Sequence, residues 1–133
     1  MAKKLFEIQT WEIVDGTDLM KGQTNLKSWH DTNMSKLQNG TRMFLGCRNL
    51  ESFTFDLGSL KDGSSMFSGC SKLTSFSSNL SSLTDGNEMF QGCYALSSFS
   101  SDLSSLTDGN YMFCHCSNLI SFTSNLSSLT NCR

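Results

Sequence analysis

The dipeptide Met-Phe occurs four times at one fixed interval: Met43-Phe44, Met66-Phe67, Met89-Phe90 and Met112-Phe113, each 23 residues after the last. Other residues keep the same step. Cysteine returns at Cys47, Cys70, Cys93 and Cys116, and leucine at Leu50, Leu73, Leu96 and Leu119. Phenylalanine returns at Phe53, Phe76, Phe99 and Phe122. Two further leucine columns run Leu57, Leu80, Leu103, Leu126 and Leu37, Leu60, Leu83, Leu106, Leu129. Gly40, Gly63, Gly86 and Gly109 each follow an Asn or Asp. The consensus is L-T-D-G-x-x-M-F-x-G-C-x-x-L-x-S-F-x-S-x-L-S-S. With about seven apolar positions in 23, such a unit cannot close a core alone. It must bury each apolar position against its counterpart in the next unit.

A worn copy precedes the four. Asp15-Gly16, Leu19-Met20, Gly22, Leu26 and Trp29 match Asn39-Gly40, Met43-Phe44, Gly46, Leu50 and Phe53 at a step of 24, with Gln23 in the cysteine slot. Terminal repeats are commonly atypical because one side faces solvent. Residues 1–14, with Leu5, Phe6, Ile8, Trp11, Ile13 and Val14, are expected to form an N-terminal cap, a strand laid on the first coil. The repeat array is then expected over 15–133: a divergent copy at 15–38, regular copies from about 39, and an open end at Leu129-Thr130-Asn131-Cys132-Arg133, where no polar cap follows.

Within each unit, Asp-Gly or Asn-Gly predicts a turn with glycine at positive φ. The stretch Asn87–Cys93 predicts one short helical turn ended by Gly92. Leu96–Ser101 reads as a short strand and Leu103–Leu106 as a possible second. Stacked coils would pair these strands in parallel at about 4.7–4.9 Å. The expected fold is a short right-handed solenoid with short parallel strands and one helical turn per 23-residue coil.

Few residues offer chemistry. The cysteine column reads first as buried free thiols, since unpaired cysteine packs as a small hydrophobe. Disulfides along it are the alternative, although parallel coils point the Cβ vectors the same way. Cys114-His115-Cys116, with Cys93 below and Cys132 above, is the one possible metal cluster, but C-H-C cannot easily aim three side chains at one tetrahedral ion. Asp62, Asp85 and Asp108 precede turn glycines, where Asp commonly caps its own backbone; a calcium ladder would have only one such ligand per coil. Three hydroxyl columns, Ser52/75/98/121, Ser59/82/105/128 and Thr54/Ser77/Ser100/Thr123, predict hydrogen bonding along the stack or a hydroxyl-rich contact surface. There is no phosphate loop, no G-x-S-x-G and no H-E-x-x-H. Neither an enzyme nor a bound cofactor is expected.

A net charge of −2 gives no basic stripe for nucleic acid. No apolar run reaches the roughly 18–20 residues of a membrane helix, and Glu7 and Gln9 interrupt the apolar run of a would-be signal peptide. Between residues 73 and 132 there are four acids and no lysine or arginine, which predicts a mildly acidic half. Tyr94 and Tyr111 occupy variable slots and are expected to be exposed, as interface anchors often are.

The string G-C-x-x-L-x-x-F, preceded by M-F and followed by leucines one turn on, resembles the BspA-like leucine-rich-repeat surface proteins. Trp29-His30-Asp31-Thr32-Asn33-Met34 is similar to the W-D-T-S-N-M string of that family's shorter repeats. The resemblance covers roughly residues 15–133 and implies a leucine-rich-repeat-like fold and a role in adhesion to a host protein or glycan; the variable slots of Tyr94 and Tyr111 make these the first contact residues to test. It implies an extracellular, cell-surface or virion location; without an export signal or anchor in the sequence, a cytoplasmic one stays open. The alternative is a structural subunit of a fibre, virion or surface layer that joins other subunits, or another copy of itself, through Leu126 and Leu129 in its last coil.

Overall fold

The computed structural model describes residues 13–30 and 34–132. Apart from Ile13 and Val14, the expected N-terminal cap lies outside the described residues, as does the interrupted signal-like run. Asp31–Asn33 of the tryptophan string lie outside them too. Of the two described cap residues, Ile13 packs partly against the core and Val14 is exposed.

Five short strands follow in chain order: β1 (Ser28–His30), β2 (Ser52–Thr54), β3 (Ser75–Phe76), β4 (Ser98–Phe99) and β5 (Ser121–Phe122). All pairings are parallel. β1 pairs with β2 at Ser28↔Ser52, while β3, β4 and β5 form a second sheet at Ser75↔Ser98 and Ser98↔Ser121. A second ladder of single bridges runs Asp15↔Asn39, Asn39↔Asp62, Asp62↔Asp85, Asp85↔Asp108 and Asp108↔Asn131. Both ladders step by 24 at the worn copy and by 23 thereafter, so each apolar column of the sequence becomes a physical column.

Those columns are the core. Met43, Met66 and Met89, Phe44, Phe67 and Phe90, Cys47, Cys70 and Cys93, and Leu50, Leu73 and Leu96 are all buried. Two ladders of rings run through it. Phe44, Phe67, Phe90 and Phe113 stack nearly parallel, with centroids 5.4–5.5 Å apart, and Phe53, Phe76, Phe99 and Phe122 stack at 5.4–5.8 Å. The ladders meet edge to face, as between Phe67 and Phe76 at 5.3 Å, which suits the ring quadrupoles.

No helix forms among the described residues, so the expected helical turn is corrected. Its place is taken by successive i→i+3 turns: Met43 N–H donates to Gly40, Leu45 to Arg42, and Cys47 to Phe44. The alternate N–H groups are engaged elsewhere. Those of Gly40, Arg42, Phe44 and Gly46 donate to the carbonyls of Asp62, Ser64, Met66 and Ser68 in the next unit. An i→i−4 ladder would need those same donors. Left-handed backbone at Arg42 (φ 53°) and Gly46 (φ 73°) breaks helical geometry twice more.

The hydrogen bonds between units run in both directions. From the glycine through the turn segment the donor lies in the earlier unit and the acceptor in the later one. In the two residues before each glycine the order reverses: Thr84 and Asp85 N–H donate back to Lys61, and Thr107 and Asp108 back to Thr84. The Thr84, Thr107 and Thr130 hydroxyls donate the same way, to Lys61, Thr84 and Thr107. This threonine column was not among the three singled out in the sequence, of which Ser52 Oγ bonds along the stack, to His30 Nε2 at 3.1 Å.

Two further expectations change. Leu103–Leu106 is a turn and not a strand: Leu106 N–H donates to Leu103, and Asp102 Oδ1 accepts from Ser104 N–H at 2.9 Å. The Asp-Gly glycines do not supply the positive φ; Gly22, Gly46, Gly69 and Gly92 do. Gly40 is required by contact instead, because a Cβ there would lie 2.7 Å from Met66 Sδ and 3.3 Å from Leu60 Cδ1. The methionine column sits directly on the glycine column.

Candidate functional site

With the apolar columns buried, the surface is left to the variable slots. One slot runs Asp18, Arg42, Ser65, Glu88 and Tyr111, all at φ 53–60°, so these side chains leave the stack from left-handed backbone. Its first two members pair across the units: Arg42 Nε and Nη2 donate to Asp18 Oδ1 and Oδ2 at 2.8 and 3.2 Å. That guanidinium holds the Asp18 carboxyl below the usual carboxylate range. The last member, Tyr111, is 46% exposed. Tyr94, in the slot that follows the cysteine, is 53% exposed, and its carbonyl accepts from Asn118 Nδ2 at 2.7 Å. Both tyrosines lie in the turn segments of consecutive units and neither joins the ring ladders.

Leu126 and Leu129 are brought together. They line one apolar pocket of about 80 Å³ with Leu103, Leu106, Met112 and Phe122. Leu126 is 39% exposed where Leu57, Leu80 and Leu103 are fully buried, and Phe122 is 41% exposed where Phe76 and Phe99 are buried. Among the described residues, no acceptor faces the N–H groups of Phe113 and His115, the positions whose counterparts Phe90 and Gly92 donate to Met112 and Cys114.

The cysteines are free thiols. Each member of the column donates to a carbonyl of the preceding unit: Cys47 to Met20 at 3.1 Å, Cys70 to Phe44 at 3.3 Å, Cys93 to Phe67 at 3.2 Å and Cys116 to Phe90 at 3.1 Å. Burial pushes the Cys116 thiol up to about 11 and raises Cys47, Cys70 and Cys93 as well. A thiol held protonated is a poor nucleophile and a poor metal ligand. Among the described residues, no three His, Cys, Asp or Glu side chains are placed to hold a metal ion. In Cys114-His115-Cys116, the histidine takes the column's left-handed glycine position (φ 65°) and is exposed, while Cys116 turns into the core edge. Asn39, Asp62, Asp85 and Asp108 cap their own turns, each accepting from the N–H two residues on.

The arrangement has the features of a repeat family. The profile of the BspA type leucine-rich repeat region matches residues 24–132 in six copies. The chain belongs to the BspA-type leucine-rich repeat family. No curated protein and no solved structure matches it. BspA-type repeats are a protein-interaction kind of domain, and proteins that carry them are commonly surface-associated. In this BspA-type chain, no helix of the described residues is long and apolar enough to cross a membrane.

Sequence reasoning passed over one feature. Phe55, Ser78, Ser101 and Ser124 share a column, and the Oγ atoms of Ser101 and Ser124 are buried with no hydrogen-bond partner. The signal was the change from a ring at Phe55 to hydroxyls in later units.

Proposed function

We propose that this BspA-type chain is a non-enzymatic recognition module, a solenoid from residue 15 onward behind an N-terminal cap, which adheres to a host protein or glycan from a cell-surface or virion location. The observation that carries this reading is the pair of exposed aromatic anchors, Tyr94 and Tyr111, on a scaffold whose remaining large side chains are mostly buried. Tyrosine supplies large contact area at low entropic cost. Changing both to serine leaves every apolar column intact. The double variant is therefore expected to keep its melting temperature and to lose host-cell binding roughly tenfold or more, measured with the labelled protein on cultured cells. Undiminished binding by the double variant would refute the role of the tyrosines.

A second reading, a structural subunit, draws on the apolar pocket at Leu126 and Leu129. Another copy stacked there would cover it. Light scattering across a concentration series is expected to show mass rising with concentration, independent of reductant, and Leu126→Lys with Leu129→Lys is expected to hold the protein monomeric. A wild-type mass that stays monomeric at every concentration removes this reading.

A further inference from the structure

Three asparagines of the described residues head the pattern N-x-S/T, the acceptor of N-linked glycans: Asn39-Gly40-Thr41, Asn79-Leu80-Ser81 and Asn125-Leu126-Ser127. The geometry points to Asn79 as a glycan attachment site. The inference rests on the cell-surface location proposed above, because the pattern is used in secreted chains. Asn79 lies in the turn after β3, whereas Tyr94 and Tyr111 lie in the turn segments that precede β4 and β5.

The fold uses one end of the Asn79 amide and leaves the other free. Asn79 Oδ1 accepts from Ser81 N–H at 2.9 Å, closing an Asx turn. Asp56 and Asp102 close the same turn one unit to either side, accepting from Gly58 and Ser104 N–H at 2.8 and 2.9 Å. A carboxylate serves the turn equally well, so the amide nitrogen is surplus to it. Among the described residues, Asn79 Nδ2 has no hydrogen-bond partner, and neither has Ser81 Oγ, the hydroxyl that the pattern requires. Asn79 is exposed, and the backbone of Asn79, Leu80 and Ser81 makes no hydrogen bond to a neighbouring unit. Its Nδ2 lies over Gly58, where a Cβ would come within 3.1 Å of it. Glycine at that position keeps the space beside the nitrogen open.

The other two asparagines are placed differently. Asn39 bridges Asp15 on one side and Asp62 on the other. It is half-buried, and its Oδ1 accepts from both the N–H and the Oγ of Thr41, at 2.9 and 2.6 Å, so the required hydroxyl is already engaged. A glycan there would stand against the bridge ladder. Asn125 repeats the Asx turn, with Ser127 N–H at 3.0 Å, but Ser104 takes the place in the preceding unit that Gly58 takes beneath Asn79. The donor that fits Asn79 is an oligosaccharide carried on a lipid pyrophosphate. A bond forms between Nδ2 and the anomeric carbon as the bond from that carbon to the pyrophosphate oxygen breaks. The pyrophosphate leaves with the electron pair, and the amide gives one proton to a base of the transferase. The product keeps its carbonyl, so Ser81 N–H keeps its acceptor and the turn stays closed.

The test directs the full chain into the secretory pathway of cultured eukaryotic cells and weighs the secreted protein by mass spectrometry. A sample treated with peptide N-glycosidase, which turns a glycosylated asparagine into aspartate, is mapped by peptide. A glycan is expected at residue 79 and none at residue 39. Asn79→Gln and Ser81→Ala are each expected to abolish the glycan at 79. Ser81→Ala keeps the asparagine and the N–H that closes the turn, so a loss there is not a loss of fold. Treated and untreated protein are expected to melt alike. The proposal is overturned by a secreted chain with no glycan at residue 79, by a glycan at Asn39, or by a glycan at 79 that survives Ser81→Ala. Host-cell binding is read on the same samples. A glycan at Asn79 without cell binding upholds this site and removes the recognition reading, and tyrosine-dependent binding by a chain that carries no glycan does the reverse.

Discussion

Phe67→Ala is expected to lower the free energy of unfolding by about 3–5 kcal/mol, the range for truncating a fully buried aromatic side chain. Phe67, like Phe90, is a crossing point of the two ring ladders. It stacks on Phe44 and Phe90 at 5.4 and 5.5 Å and meets Phe53 and Phe76 edge-on at 4.6 and 5.3 Å. The β1–β2 and β3–β5 sheets are separate pairings, and across that break the ring ladders act together with the bridge and turn-segment hydrogen bonds. A repeat array is held by nearest-neighbour interfaces, and the cavity would weaken the interfaces on both sides of its unit. Urea unfolding followed by circular dichroism measures the loss. Phe122→Ala, at an already exposed ring, is the control and is expected to cost far less. Equal losses at the two positions would mean that burial of the Phe67 ring contributes little to the stack.

Alkaline solution is expected to unfold the protein steeply. Burial raises the Cys70 and Cys93 thiols above their ordinary value of 9.0, and the neighbouring cysteines of the column add to the shift. The native state therefore keeps both protons where the unfolded chain has released them. The unfolded state binds fewer protons, so stability falls as pH rises. The contribution is fully present below pH 9 and is lost above it, at about 1.4 kcal/mol per pH unit for each thiol that stays protonated, or about 3 kcal/mol per unit for the two. Urea midpoints at pH 7.5, 9 and 10.5 read the slope. Cys70→Ala with Cys93→Ala is expected to be less stable at neutral pH and markedly flatter above pH 9. A double variant with the wild-type slope would show that other groups govern the alkaline transition.

The 23-residue step let the sequence speak for the long-range structure. It placed the parallel strand ladder, the burial of the cysteine, methionine, phenylalanine and leucine columns, and the exposure of Tyr94 and Tyr111, because a repeat fixes register without any knowledge of local conformation; the second ladder, of bridges at the Asp-Gly positions, it read only as turns. The local conformation was harder to see. Asn87–Cys93 has the composition of a helical turn, but its alternate N–H groups are claimed by the following unit, a competition that a single unit's sequence does not display. The two glycine columns also exchanged roles. Left-handed φ belongs to Gly46, Gly69 and Gly92, while Gly40, Gly63 and Gly86 make room for methionine sulfur. Arg42, Ser65, Glu88 and Tyr111 hold left-handed backbone without being glycine, which residue type alone does not signal.

The opposed directions of the hydrogen bonds between units have an electrical consequence. In an α-helix the peptide dipoles align and accumulate into partial charges at the ends. Here the amides of the turn segments point toward the next unit and those of the two residues before each glycine point back, so their moments partly subtract. Added units polarise the stack less than the same amides would if all were aligned.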